Sequence, residues 1–414
     1  MRTATVFQRL LDLQGVRVTD VDIVVGALTI IVDVMLRGAG MTCSRCGRRC
    51  RAVYDSKVRT WRHLDFGPWA VHLRFRQRRV DCPRCKAVVT ETVPWAEVGS
   101  AFTRDFEDVT SFLVQQANKT AVARLMRISW PTVGNIVQRT VAQHRLPLRM
   151  RRLYRIGIDE ISYRRHHKYL TLVADHDTGE IVWGGEGKSG KTLDGFLDEL
   201  GDDGRASVEL VSMDMAEGYI EKVRERLSHA TIVFDPFHVV RLANKAVDEV
   251  RRAQVRELKG TDRWQAVKKT RWLLLKDPGN LSLEENSRLS VLAKVNTRLY
   301  RAYLLKEALR DLYAQPAHRA AAYLDRWLTW ASRSRLRPFV KLARTVRCHK
   351  AGILAAIVYG LSNGRLEGLN GKVRLLSHRA FGFHSADALL ALVYLCCSGI
   401  ELSLPSDRRY PHDL

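Results

Sequence analysis

Acidic residues are scarce in this chain: 44 Asp and Glu face 68 Lys and Arg over 414 residues, a formal charge of +24 and a sequence pI near 10. Also missing is an apolar run long enough to cross a bilayer, which takes ~20 residues. The longest, Ala388–Cys397, falls well short. The opening stretch MRTATVFQRLLDLQ lacks the apolar centre of a signal peptide. These absences exclude a membrane-spanning chain and predict a cytoplasmic one. The polyanion its surplus charge calls for is then nucleic acid rather than an anionic membrane. Nothing else in the composition is unusual: 46% hydrophobic and 27% charged is that of an ordinary globular chain. The length allows two to four domains.

Eight cysteines in a reducing compartment stay as thiols and point to a metal rather than to disulfides. Cys43-x2-Cys46 and Cys82-x2-Cys85 are two knuckles with 35 residues between them. Paired in this way they present the four thiolates that a structural zinc takes, and Gly47 and the Pro83-Arg84 step suit the turns required. Cys50 lies near enough in sequence to compete for one position. Residues 1–40 read as a helix followed by alternating strands. Between the cysteine pairs, Arg59, Trp61, Arg62, His63, Arg74, Phe75, Arg76, Arg78 and Arg79 make a basic, aromatic stretch, expected to touch DNA phosphates.

Residues 101–146 have helical periodicity. Phe102–Ala117 and Ala121–Met126 are predicted helices, and Ser129 is an N-cap with Pro131 in the first turn of a helix through Val141. A short helix, a tight turn and a capped helix form a helix-turn-helix signature, with Thr132, Asn135, Gln138 and Arg139 on the expected exposed face. A basic linker (Arg145, Arg149, Arg151, Arg152) follows.

The next stretch, RIGIDEISY at Arg155–Tyr163, is an apolar strand with Asp159 in its middle. A carboxylate there is costly to bury unless paired or metal-bound. Tyr169–Ala174 and Ile181–Trp183 read as two further strands around the turn Asp175–Gly179, and Lys191–Leu200 as a helix. Val208–Met213 is another strand, ending on Asp214. Aspartates on two neighbouring strands are the ribonuclease-H-like arrangement, in which rigid carboxylates hold two metal ions ~3.5–4 Å apart. Gly185-x4-Gly190-Lys191-Thr192 also fits a phosphate-binding loop, with Asp214 as a second acidic partner. Its preceding strand, however, reads as the return arm of a hairpin, whereas such loops belong to parallel sheets.

Thr231–Phe234 is a strand leading into Asp235-Pro236-Phe237-His238. From Val239 to Val358 the chain is helical, basic and rich in tryptophan (Trp264, Trp272, Trp327, Trp330), with a loop at Asp277–Asn280. The segment SNGRLEGLNGK, from Ser362, opens a further helix on which Glu367, Asn370 and Arg374 share one face. With polar companions, surrounding glycines and two earlier aspartates, Glu367 becomes the candidate third metal ligand.

Taken together, the cysteine knuckles, the helix-turn-helix, IGIDEIS, SMDM, FDPFHVV, RWLLLK and SNGRLEGLN resemble the bacterial insertion-sequence transposases of the DDE type, specifically the ISL-three family. The resemblance spans nearly the whole chain. It implies a multidomain α/β protein: a ribonuclease-H-like mixed sheet with a helical insertion, preceded by a zinc ribbon and a helix-turn-helix. The expected segments are 1–100, strands and zinc ribbon; 101–150, helix-turn-helix; 151–240, first part of the catalytic core; 241–355, helical insertion; and 356–405, second part of the core. Asp159, Asp214 and Glu367 are implied as the acidic triad, holding two Mg2+ or Mn2+ ions, beside the structural Zn2+. Asp235-x2-His238 resembles an element that follows the second aspartate in several DDE groups, which favours Asp214 and leaves Asp235 as its rival. The implied activity is cleavage and strand transfer at the terminal inverted repeats of an insertion sequence. The partners are double-stranded DNA, both transposon ends and target, and further copies of the chain. Lys372 and Arg374 are candidates to hold the end's phosphate, and Trp272 to stack on a flipped base. A transposase-derived DNA-binding regulator and another ribonuclease-H-fold nuclease are the alternatives.

Overall fold

The structure is a computed structural model that describes residues 3–11, 13–38, 40–144, 150, 152–164, 168–380, 382–383 and 385–407. Arg145, Arg149 and Arg151 of the basic linker lie outside the described residues. Contacts divide the chain into two compact units, Met1–Arg145 with Gly399–Leu414, and Leu146–Ser398.

The first unit runs α1 (Thr3–Leu11), β1 (Val16–Val24), β2 (Thr29–Leu36), β3 (Met41–Thr42), β4 (Arg49–Cys50), β5 (Val53–Phe66), β6 (Trp69–Cys82), β7 (Ala87–Thr90), α2 (Arg104–Gln116), α3 (Lys119–Met126) and α4 (Trp130–His144). The strand order is β1-β2-β6-β5, with β7 also paired to β6. Period-two alternation dictates the buried face: Val16, Ile30, Val32, Trp61, Leu73 and Phe75 all turn inward. Trp95 closes that core edge-on to both Trp61 and Phe75, at 5.5 and 5.3 Å between ring centroids. Asn118 and Ser129 accept from the backbone N–H groups of Ala121 and Thr132, starting α3 and α4. Arg127, left-handed at φ 54, makes the turn between them.

The second unit is built on β8 (Arg155–Arg164), β9 (Lys168–Asp175), β10 (Ile181–Glu186), α5 (Gly190–Ser207), β11 (Leu210–Met213), α6 (Glu217–Arg226) and β12 (Thr231–Phe234). The sheet order is β10-β9-β8-β11-β12. β8, β9 and β10 form an antiparallel meander, and β8, β11 and β12 are parallel. This is the expected mixed sheet. Ile156, Ile158, Leu193, Phe196, Ile220 and Val223 belong to one core that α5 and α6 help to form.

Helices α7 (Pro236–Glu257), α8 (Trp264–Val267), α9 (Arg271–Leu275), α10 (Leu283–Val295), α11 (Thr297–Asp311), α12 (Ala317–Arg333), α13 (Arg337–Cys348) and α14 (Lys350–Tyr359) follow, then α15 (Gly364–Arg379) and α16 (Ala386–Cys397). Trp327 fills the helical core, its indole N–H on the carbonyl of Leu305 at 2.8 Å. Lys306 is buried there, and its ammonium is matched by Glu307 and by the carbonyl of Leu274 at 2.8 Å. A buried charge persists only when compensated in this way. Among the described residues no helix is long and apolar enough to cross a membrane.

Candidate functional site

Hairpin geometry brings the two cysteine knuckles together. The Sγ atoms of Cys43, Cys46, Cys82 and Cys85 all lie within 4.8 Å of one another. Cys43 to Cys85 is 3.8 Å and Cys46 to Cys82 is 3.6 Å. Four sulfurs each ~2.3 Å from a zinc at the centre of a tetrahedron are separated by ~3.8 Å, so the donor set fits that ion. The backbone N–H of Cys85 and then that of Arg84 hold the Cys82 thiol down to about 6. Cys50 is buried beside Cys82 but outside the four-sulfur set, and burial first of all pushes its thiol up. The four-sulfur set is complete without it.

Most arginines of the basic stretch between the knuckles, expected to touch DNA phosphates, are engaged with carboxylates of the protein. Arg62 pairs with Asp65, Arg74 with Asp33, Arg78 with buried Glu91, and Arg79 with Asp55. Arg59 lies over Trp61 and donates to Gln77. Trp61, His63 and Phe75 are core residues. Arg76 is exposed, and no ion pair holds it among the described residues.

On α4, Asn135 and Gln138 are exposed and Thr132 is half-buried beside the cap. Arg139 departs from the expectation. Its guanidinium reaches back to Glu107 of α2, a carboxylate only 3% exposed, with Nε 3.0 Å from Oε1. Arg139 therefore ties two helices together instead of facing solvent.

The sheet's register sets the acidic centre. Gly157 pairs with Ser212, and Met213 with Phe234, in parallel. Continuing those registers puts Asp159, Asp214 and Asp235 level just past the parallel pairing, on strands spaced ~4.8 Å apart. Asp159 Oδ1 accepts from the Glu160 N–H at 2.7 Å, and Oδ2 from Asn370 Nδ2 at 2.6 Å. Burial raises the Asp159 carboxyl, and Asp214 adds to the rise. The Glu160 N–H, the charge of His238 and the Asn370 bond oppose it. Burial likewise raises Glu160, against its bond to Tyr219, and Asp214 adds again. These mutual effects place Asp159, Glu160, Asp214 and His238 in one electrostatic neighbourhood. Half-buried carboxylates close enough to repel one another offer the hard oxygen donors that a divalent cation takes.

Asp235 is occupied otherwise. It is 3% exposed, and its Oδ1 accepts from the N–H groups of Phe237 at 3.4 Å and Asn363 at 3.3 Å, capping α7. His238 Nδ1 is 3.8 Å from its Oδ2. Glu367 is exposed in the first turn of α15, one turn before Asn370. Among the described residues the three expected acidic ligands are not gathered within 4.8 Å of one another.

What holds α15 to the sheet was missed in the sequence. Asn363 Oδ1 accepts from Ser212 Oγ at 2.5 Å, and the same hydroxyl is 2.5 Å from His176 Nε2. Arg365 donates to the His176 carbonyl at 2.6 Å. Burial lowers the His176 imidazole. Gly157 lets the helix approach: a Cβ there would sit 2.6 Å from Leu366 Cδ1. A glycine inside an otherwise apolar strand was the available signal. Lys372 is not beside Glu367; its ammonium is on the carbonyl of Cys396, at 2.5 Å. Arg374 is exposed on the Glu367 face. Trp272 is 71% exposed with Arg271 over its ring, whereas Trp327 is core. The glycine-lysine-threonine segment follows β10, an antiparallel edge strand, and so lacks the parallel-sheet setting of a nucleotide-binding loop.

Comparison with known proteins matches three consecutive parts. Residues 39–85 match the zinc finger of the transposases IS204/IS1001/IS1096/IS1165, 91–141 the helix-turn-helix domain of transposase family ISL3, and 156–393 the ISL3 DDE transposase domain. The chain is 40% identical over 394 residues to the transposase for insertion sequence element IS1557 of Mycobacterium tuberculosis, covering 89% of this chain and 88% of that one. It is 29% identical over 357 residues to the transposase for IS1001 of Bordetella parapertussis, covering 84% and 86%.

Proposed function

The chain belongs to the ISL3 family of insertion-sequence transposases, and from that premise we propose that Asp159, Asp214 and Glu367 are the carboxylates of its DDE centre. The family's activity is DNA cleavage and transfer, here assigned to the terminal inverted repeats of the source element. The observation that carries the assignment is the level placement of Asp159 and Asp214 on adjacent strands, with Asn370 of α15 bonded to Asp159. Divalent cations held there, two Mg2+ or Mn2+ per site, supply the Lewis acidity that in-line phosphoryl transfer requires.

The residues of the chain do the positioning. Asn370 fixes the carboxylate of Asp159 while leaving each oxygen a lone pair for an ion. The Asn363, Ser212 and His176 bonds set the start of α15, and hence the place of Glu367. Glu367, one turn before Asn370 on the same helix, would be the third carboxylate offered to the ions. Arg374, on the same helix face, holds the end's phosphate. Exposed Trp272 stacks on a base unpaired at the cleavage point. Asn135 and Gln138 read the repeat in the major groove. Zinc in the four-cysteine site keeps the ribbon folded. Joining two ends to a target needs two centres, so the chain acts as an oligomer on DNA.

The experiment is direct: incubate the purified full chain with a plasmid carrying the element's ends, with and without Mg2+ or Mn2+, and map the breaks. Breaks at the repeat boundaries only with the cation support the reading. End binding without cleavage under any divalent cation defeats it.

A further inference from the structure

In the helical insertion a groove of about 940 Å³ runs between the second half of α7 and the starts of α11 and α13. Six arginines line it, against two glutamates. Asp248 neutralises Arg251 and Arg252, at 2.7 and 3.1 Å, and Glu257 lies 3.3 Å from Arg298. Arg256, Arg335 and Arg337 are exposed and pair with no carboxylate among the described residues. Three guanidiniums without a carboxylate partner, Arg256 donating only to the Arg252 carbonyl at 3.3 Å, repel one another in one concavity and offer forks that match an anion's oxygens.

The turn presenting two of them is rigid. Arg335 is left-handed, φ 58, an uncommon state for a residue with a Cβ. The neighbouring Ser334 is 3% exposed and fastened on both sides: its carbonyl accepts from Arg301 at 3.1 Å, and its hydroxyl donates to Ala331 at 2.7 Å and accepts from the Leu336 N–H at 3.2 Å. Pro338 follows at once. A left-handed residue just past the end of α12 is a common helix ending, and these bonds fix how Arg335 and Arg337 are presented.

We propose that this groove binds the phosphodiester backbone of a DNA duplex without regard to sequence, a DNA contact made by residues other than those of the helix-turn-helix. The inference rests on the transposase reading of the chain. Concavity decides against base readout, because reading base edges requires a convex element that enters the major groove. Arginine forks in a hollow take phosphates instead.

The test uses the full chain and two duplexes, one bearing the element's end and one unrelated, with affinity followed by fluorescence anisotropy as salt is raised. Arg256→Gln, Arg335→Gln and Arg337→Gln combined should weaken binding to both duplexes by about tenfold or more. The slope of log affinity against log salt should fall by about 2–3, while the preference between duplexes is kept. The corresponding triple lysine variant should keep the wild-type slope. An unchanged slope in the glutamine variant, or a loss confined to the end-bearing duplex, overturns the proposal. Should the triple variant fail to fold, Arg256→Gln, Arg335→Gln and Arg337→Gln made singly should each lower the slope by about 1 on both duplexes, and unchanged slopes in all three are equally fatal. Wild type binding neither duplex would strike the transposase reading itself.

Discussion

Gly157 controls how closely α15 can lie on the sheet. A methyl there meets Leu366 Cδ1 at 2.6 Å and His176 Nε2 at 2.8 Å. Neither neighbour can retreat easily, because Leu366 is 3% exposed and His176 is held by Ser212. Gly157→Ala should therefore cost about 1–3 kcal/mol through overpacking. It should also lift Asn370 off Asp159, lowering single-turnover cleavage at least tenfold while end binding is retained. Thermal melting and a cleavage time course on the same sample check both. Cleavage at the wild-type rate would mean that the close approach of α15 is irrelevant to the chemistry. Asp159 stands out in the sequence because a carboxylate on an apolar strand is conspicuous. The Asn363, Ser212 and His176 bonds do not, since their partners are 151 and 36 residues apart and no local pattern records them.

At the scale of elements, periodicity and capping located α4 and its Ser129 cap, but they say nothing of what lies across from each face. Periodicity alone puts Arg139 on the solvent face, whereas its partner Glu107 comes from a helix 32 residues away. The arginines of β6 follow the same logic: their carboxylates on β2, β5 and beyond β7 become neighbours only through sheet register. Arg139→Ala leaves Glu107 buried without its cation and should destabilise the helix-turn-helix by roughly 3 kcal/mol. Asn135→Ala and Gln138→Ala should melt as wild type does and yet lose preference for the element's ends. Melting curves paired with competition binding separate the two outcomes. A wild-type melt for Arg139→Ala with selective loss of end binding would return that side chain to the DNA face.

Across the whole molecule, the +24 charge announced a polyanionic partner, and the two cysteine pairs announced a metal site whose Sγ separations match a tetrahedral ion. Because the cysteines lie in one compact unit and the acidic centre in the other, zinc should matter only to the first. Cys82→Ser should lose zinc by metal analysis and expose the 41–90 region to protease while residues 155–398 stay resistant. Global unfolding would contradict this independence. The central claim concerns which carboxylates carry the chemistry, where sequence left Asp214 and Asp235 as rivals and the structure gives Asp235 a capping role. The most direct measurement is cation-dependent cleavage of end-bearing DNA by Asp159→Ala, Asp214→Ala, Glu367→Ala and Asp235→Asn, the last preserving the helix cap. The account predicts that the first three bind ends but make no breaks, while Asp235→Asn still cuts. Cleavage by Asp214→Ala, together with its loss in a folded Asp235→Asn, would contradict it.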